Sequence, residues 1–410
     1  MLFCKHMKKY SNHPMQGDLF QSVISAYLSA PCGALSNEDL YQMAGKGYDL
    51  ETKTAIGQSG EMRNPVKQRI RWYQQELKNM GILSRIDRGQ WRLSDEMGTE
   101  LQESDANVKE IAFSTDLGIA IWARHESVFP KLNEPINLYI SSFPYPLRKP
   151  RAYGNPKSKD YIDFVLKALE PIIRNLADDA SIILNLSNDI FEPKSPARSL
   201  YVQYLTIALH ENFGLDFMGQ IPWVNYSKPP GPTYWACVQR IHLSSCFEHI
   251  LWFCKDARLV NADNRRVLET HTQKHLAFLE AGGENRNAEY GDGAYRLRAG
   301  KSFSKVTTGK IPRNVFERGH SCADTIAYRK AADGLNLPKH GAMFPTDLPE
   351  FFIRYLTNPG QLVADQFGGT GKTALAAEKL GRRWIITEKI YQYLRGGAEL
   401  FRNCKGFSLG

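Results

Sequence analysis

The chain reads as an α/β protein: a doubly wound, mostly parallel sheet preceded by a small helical domain. Three observations predict this. Leu362-Val363-Ala364 and Trp384-Ile385-Ile386 are short apolar runs separated by a glycine-rich break and a stretch of good helix formers, which makes a βαβ unit. Ile136 to Ile140 is another buried-strand candidate, and it runs straight into the proline-stiffened turn Ser141-Ser142-Phe143-Pro144-Tyr145-Pro146. Ahead of both, Leu19 to Leu93 has helical periodicity closed by a hairpin.

Length and composition set the bounds. A chain of 410 residues, 42% hydrophobic, implies two or three globular domains. A net charge of +9 suits a polyanionic partner, although ordinary solubility would also account for it. The seven cysteines form no CxxC pair and no zinc spacing, so reduced thiols in a cytosol and no metal site are expected. The basic N-terminus MLFCKHMKKY has no apolar run behind it, so no signal peptide is expected, and no stretch reads as a membrane span.

In chain order, residues 1–95 form the first domain. Asn64-Pro65 opens a helix with proline at its first position. Val66, Ile70, Tyr73, Leu77 and Met80 fall on one face, with Lys67, Arg71, Gln74 and Lys78 as a polar, basic stripe beside it. Gly81 ends the helix, and Ile82 to Leu93 reads as a hairpin turning at Asp87-Arg88-Gly89-Gln90. Helices followed by a small hairpin make a winged helix. Lys67 and Arg71 are its candidate DNA contacts, a solvated face or a protein contact being the plainer alternatives. Residues 96–110, with Glu100, Glu103, Asp105 and Glu110, read as an acidic linker that DNA would repel.

The turn after Ile140 sits where open α/β sheets bind ligands, at the strands' C-terminal edge. A base turned out of a duplex needs a stacking surface and acceptors for its exocyclic amine. Tyr145 can stack, and Ser142 Oγ and the Phe143 carbonyl can accept amine protons. A packed tyrosine in a proline-rich loop is the plainer reading. Glu248 and His249 lie on an apolar run, where structural roles are the commoner outcome. No Ser-His-Asp or Cys-His arrangement is visible, and Pro31-Cys32 lies too far ahead to act as a nucleophile.

The stretch LVADQFGGTGKTALAAEKLGRRWIITE admits three readings. A phosphate-binding P-loop would need glycine where Gln366 stands. A purely structural βα turn is the second. In the third, the glycines and the helix N-terminus approach an anionic tail while Glu388 accepts both ribose hydroxyls, which suits a nucleoside.

These segments together resemble the DNA amino-methyltransferases. Leu362 to Glu388 resembles the D-P-F-x-G-S/T-G-T-T segment, and Ser141 to Pro146 resembles T-S-P-P-Y-P, followed by Leu147-Arg148 and a Tyr153-Gly154-Asn155 step common in the cytosine-N4 group. Ala180 to Asn188 and Phe217 to Pro230 look like the next core strands, Phe247 to Phe253 resembles E-H-I-L-x-F, and His340 to Pro345 resembles H-x-A-x-F-P. The order of segments is that of the beta class. The resemblance covers most of Ile111 to Lys389. It implies a Rossmann-like S-adenosylmethionine-dependent fold with a catalytic part at 111–255, a target-recognition region at 256–338 and a cofactor part at 339–410.

The resemblance further implies site-specific methyl transfer to cytosine N4 in double-stranded DNA with base flipping. Ser142, Phe143, Pro144 and Tyr145 would form the catalytic motif. Phe344, Asp365, Phe367, Gly369, Gly371, Thr373 and Glu388 would hold S-adenosylmethionine. Arg296, Arg298, Lys301 and Lys305, interleaved with aromatics, would contact DNA, and Gly309 to Val315 resembles a G-R-x-P-x-N-V step. A bacterial cytoplasmic, nucleoid-associated location, a cognate restriction endonuclease and a homodimer belong to the same picture. Adenine-N6 methylation and a non-catalytic DNA-binding module are the alternatives. Phe143, Gln366 and Lys372 depart from the family pattern. Restoring proline at 143 is expected to leave activity equal or higher.

Overall fold

The computed structural model describes residues 18–30, 34–56, 61–79, 83–93, 101–105, 108–146, 160–228, 231–305 and 307–410. Pro31-Cys32, Met80 to Ile82, Leu147-Arg148, the Tyr153-Gly154-Asn155 step and Pro229-Pro230 lie outside them. Contacts divide the chain into two units, Met1–Glu100 and Leu101–Gly410.

The first unit contains α1 (Asp18–Ser29), β1 (Ala34–Ser36), α2 (Asn37–Ala44), α3 (Pro65–Asn79), β2 (Leu83–Asp87) and β3 (Gln90–Leu93), with the strands ordered β1-β3-β2. Asn64 starts α3 by accepting the amides of Val66 and Lys67, both at 2.9 Å. The apolar face of α3 is as predicted: Ile70, Tyr73 and Leu77 are buried, with Val66 packed on the same cluster. Gln74 does not belong to the expected basic stripe. It is buried, and its amide donates to the Tyr27 hydroxyl. Lys67 and Arg71 are partly buried and Lys78 is exposed.

The second unit is a ten-stranded sheet. Its strands are β4 (Lys109–Ser114), β5 (Gly118–Ala123), β6 (Ile136–Ser142), β7 (Leu176–Leu186), β8 (Asp216–Val224), β9 (Phe247–Cys254), β12 (Phe316–Glu317), β13 (Leu362–Asp365), β14 (Arg383–Glu388) and β15 (Ser408–Leu409). A separate hairpin pairs β10 (Ala288–Tyr290) with β11 (Tyr295–Leu297). The order is β12-β8-β9-β7-β6-β13-β14-β5-β4-β15, and the five strands from β7 to β5 are parallel.

Helices cover both faces, so the central strands alternate between two apolar clusters. Tyr139, Ile182, Leu184 and Ala364 pack toward α4 (Tyr161–Arg174) and α5 (Tyr201–Phe213). Leu138, Ile140, Ile183 and Val363 pack toward α7 (Asp347–Leu356) and α8 (Lys372–Lys379). α6 (Ala323–Gly334) and α9 (Tyr391–Ala398) also belong to the unit. Part of the stretch expected as a linker is fastened to this unit: Ser104 N donates to Lys389 O (2.8 Å) and Tyr391 N donates to Gln102 O (3.1 Å).

Candidate active site

Winding reverses between β6 and β13. From β6 the chain crosses through α4 to β7 on one side, and from β13 it crosses through α8 to β14 on the other. The strand ends part there into a crevice. Ser142 closes β6, Asp365 closes β13 and Glu388 closes β14. All three line one cavity of about 1060 Å³.

Asp365 ties these elements together. Its carboxylate accepts from Ser141 Oγ (2.7 Å), Phe367 N (3.0 Å) and Thr373 Oγ1 (2.7 Å). Burial still pushes the carboxyl up to about 6. Asp365 and the fully buried Thr373 therefore shape the turn, and the Thr373 hydroxyl is engaged within the fold. Gly371 takes φ +80°, a left-handed value that strains any side chain, and leads into α8.

Glu388 accepts from Gly369 N (3.0 Å) and Ile390 N (2.9 Å). Burial raises its carboxyl to about 7 against those two donors. Each oxygen keeps a further lone pair, enough for a vicinal diol. Phe344 and Phe367 line the cavity beside it. This donor and acceptor set fits a nucleoside.

At the other end a side-chain network surrounds Ser142. Its Oγ lies 2.8 Å from the Tyr145 hydroxyl. That hydroxyl donates to Asn185 Oδ1 at 2.9 Å and approaches Glu248 Oε2 at 3.4 Å. Asn185 Nδ2 reaches the same Glu248 oxygen at 3.3 Å. His320 Nε2 stands 3.8 Å from Glu248 Oε1, and Asn225 holds its other ring nitrogen. Tyr145 has one proton; directed at Asn185 or Glu248, it leaves Ser142 to donate in their shared bond. The lone pairs of Ser142 Oγ are then left for a donor such as an amine. Burial, followed by the charge of Glu248, pushes the Tyr145 phenol well above its usual range, so it stays protonated.

Phe143, which departs from the family pattern, packs inward from the turn. It is 1% exposed, and its centroid is 4.8 Å from that of Phe367. The ring anchors the loop in the core.

The sequence profile of the DNA methylase family matches residues 136–399, which hold every one of these groups. The chain belongs to the DNA methylase family. It is 30% identical over 269 residues to the type II methyltransferase M.PvuII of Proteus hauseri, covering 66% of this chain and 79% of that one. It is 24% identical over 265 residues to M1.MboII of Moraxella bovis, covering 64% and 87%. A solved PvuII DNA methyltransferase, described as cytosine-N4-specific, superimposes with a TM-score of 0.57 at 25% identity, covering 74% of this chain and 93% of that one.

In this methylase the basic residues expected to contact DNA lie on and after the β10–β11 hairpin. The sequence from Tyr295 to Lys310 contains no acid, but folding supplies two. Glu289 pairs with Arg296 across the hairpin at 3.1 Å, and Glu269 pairs with Lys310 at 2.7 Å. Asn185, Glu248 and His320 were missed as site residues. Strand alternation could have separated Glu248 from His249, since neighbours on β9 face opposite sides. His249 is buried and held by Gln220 at 2.7 Å and Asn188 at 3.2 Å, and burial lowers its pKa, the structural role expected of it. Among the described residues no group of His, Cys, Asp or Glu is placed to hold a metal ion, and no helix is long and apolar enough to cross a membrane.

Proposed function

We propose that this methylase transfers a methyl group from S-adenosylmethionine to the N4 amine of cytosine in double-stranded DNA, with the target base turned out of the helix. The observation that carries the reading is the side-chain network at Ser142, which lines the same cavity as Glu388. The kinship with a cytosine-N4-specific enzyme supports cytosine over adenine.

Glu388 would accept the ribose hydroxyls, Phe344 and Phe367 would flank the adenosine, and Gly369 would leave room for the tail, while Gly371 lets the turn close against Ile386, Phe401 and Phe113 in the core. When bound, the cofactor supplies an electrophilic methyl group. A base amine is a poor nucleophile because its lone pair is shared with the ring. Ser142 Oγ and the Phe143 carbonyl would accept its protons and free that pair. The proton lost from nitrogen would pass to Ser142 Oγ as Ser142 hands its own to Tyr145 and Tyr145 hands its proton to Glu248 Oε2. Tyr145 is then a conduit rather than a base, which suits its raised pKa.

On this reading Arg296, Arg298, Lys301 and Lys305 contact the duplex, within a target-recognition region at 256–338. The helix, strand and hairpin order of the first unit supports a winged helix, with Lys67 and Arg71 as auxiliary contacts. A cognate endonuclease, a homodimer and a bacterial cytoplasmic location near the nucleoid belong to the same reading. The test is incubation with methyl-labelled S-adenosylmethionine and mixed-sequence duplex, then digestion to nucleosides and mass identification. N4-methylcytosine supports the proposal. N6-methyladenine would move it to adenine, and duplex binding without any methylated base would leave a non-catalytic DNA-binding module.

A further inference from the structure

Lys372, the first residue of α8, has no role in the reading above. Its side chain is 3% exposed and lines the cavity. Among the described residues its ammonium has no hydrogen-bond partner. An unpartnered buried ammonium is costly, so a fold that keeps one has a use for its charge. The charged and titratable groups near it are Cys322, Asp324 and Arg329 from α6 and its cap, and Lys379 from α8. Asp324 is already paired with Lys379 at 2.7 Å. Desolvation lowers the Lys372 pKa to about 8, so at neutral pH it remains mostly charged.

Position indicates what the charge meets. Glu388 ends β14 and Ser142 ends β6, with β13 between them. A nucleoside whose ribose rests on Glu388 and whose reacting group faces Ser142 must leave its remaining branch over the turn from β13 to α8. That branch, in S-adenosylmethionine, is an amino acid with a free carboxylate. The first amides of α8 also favour negative charge there. We propose that Lys372 binds the α-carboxylate of the S-adenosyl cofactor, so that the ligand supplies the counter-ion the protein withholds. The inference rests on the S-adenosylmethionine reading.

Calorimetry on the full chain with two nucleosides tests it. S-adenosylhomocysteine carries the carboxylate, and 5′-methylthioadenosine lacks the amino-acid branch. The parent should prefer the first. Lys372→Met should weaken S-adenosylhomocysteine binding about tenfold or more, which is about 1.4 kcal/mol, and leave 5′-methylthioadenosine within about twofold. The parent's preference should fall as pH rises through about 8, and Lys372→Met should lose that titration. Lys372→Thr, which carries the family residue, repeats the test should the methionine variant fail to fold. A parent that binds neither nucleoside would overturn the cofactor reading itself. A parent that binds both, with variants that keep its preference, would overturn this inference alone. So would variants that change only the salt dependence of duplex binding, since that would assign the ammonium to a phosphate.

Discussion

The two ends of the cavity are made of different material. At the nucleoside end, Glu388 is held by backbone amides, those of Gly369 and Ile390, no more than 19 residues away in sequence. At the amine end, side chains hold one another: Ser142 and Tyr145, Asn185 on β7 and Glu248 on β9, across separations of up to 103 residues. Backbone amides are fixed by the fold and survive most substitutions around them. A side-chain network loses a partner with each member removed, and the partner left behind is buried and unsatisfied. Binding of the adenosine should therefore depend on few side chains, Glu388 first among them, while chemistry at Ser142 should be sensitive to several residues.

Phe143 joins the two ends, because its ring packs on Phe367 of the glycine-rich turn. The largest expected effect follows from removing it. Phe143→Pro empties a buried ring site and should cost about 3–5 kcal/mol of stability, with nucleoside affinity and methylation rate both reduced. This reverses the expectation from the family motif, where proline at 143 looked harmless. Chemical denaturation giving a loss below about 1 kcal/mol would mean that the ring does not couple the ends.

Ser142→Ala should separate them. Tyr145 keeps its bond to Asn185, so the network survives while the amine loses an acceptor. Single-turnover methylation at saturating cofactor should fall about 10²–10³-fold, the usual loss of one transition-state hydrogen bond. Cofactor affinity should stay within about twofold. An affinity loss as large as the rate loss would break the comparison.

The same division governs what the sequence revealed. The turn from Asp365 to Gly371 and the acid at 388 were legible because their contacts are local and the glycine and strand patterns encode them directly. Thr373 and Asp365 are 8 residues apart, and their bond closes inside one βαβ unit. Asn185 and Glu248 stood in apolar strands as ordinary polar interruptions. Only the register of β7 beside β9 brings them to Tyr145, and register is a property of the assembled sheet. Phe143 was misjudged for a similar reason, since its pocket is built by Tyr139, Phe164 and Phe367 from three separate elements. Gln74 shows it on a helix: position placed it on the polar stripe, and a tertiary partner, Tyr27, drew it inside.

Glu388 tests the nucleoside end by itself. Glu388→Ala should weaken S-adenosylhomocysteine binding by about 1.5–3 kcal/mol, the range for hydrogen bonds to a charged group, without altering the amine network. The parent should also show a pH dependence. Burial lifts its carboxyl to about 7, and a carboxyl accepts hydroxyl protons best when ionised. Affinity should thus weaken as pH falls from 8 to 6, by about tenfold in the limiting slope per unit. Glu388→Gln should lack this titration. Calorimetry giving the same pH profile for both would place the ribose elsewhere.

The smallest effects belong to residues outside both ends. Arg296, Arg298, Lys301 and Lys305 lie on the separate β10–β11 hairpin or just after it, and each should act on duplex binding alone. A side chain that neutralises one phosphate contributes roughly 0.9 to the slope of log affinity against log salt. The four should not be equal. Arg296 is paired with Glu289 at 3.1 Å, and an arginine that already has a counter-charge gains less from a phosphate. No carboxylate among the described residues lies within ion-pair distance of Arg298, which should give the full change. Arg298→Ala should therefore lower the slope by about 0.9 and Arg296→Ala by less, with nucleoside binding unchanged in both. Titrations of duplex at several salt concentrations decide it. If both variants keep the parent slope, the duplex is held by another surface, and the hairpin has no part in recognition.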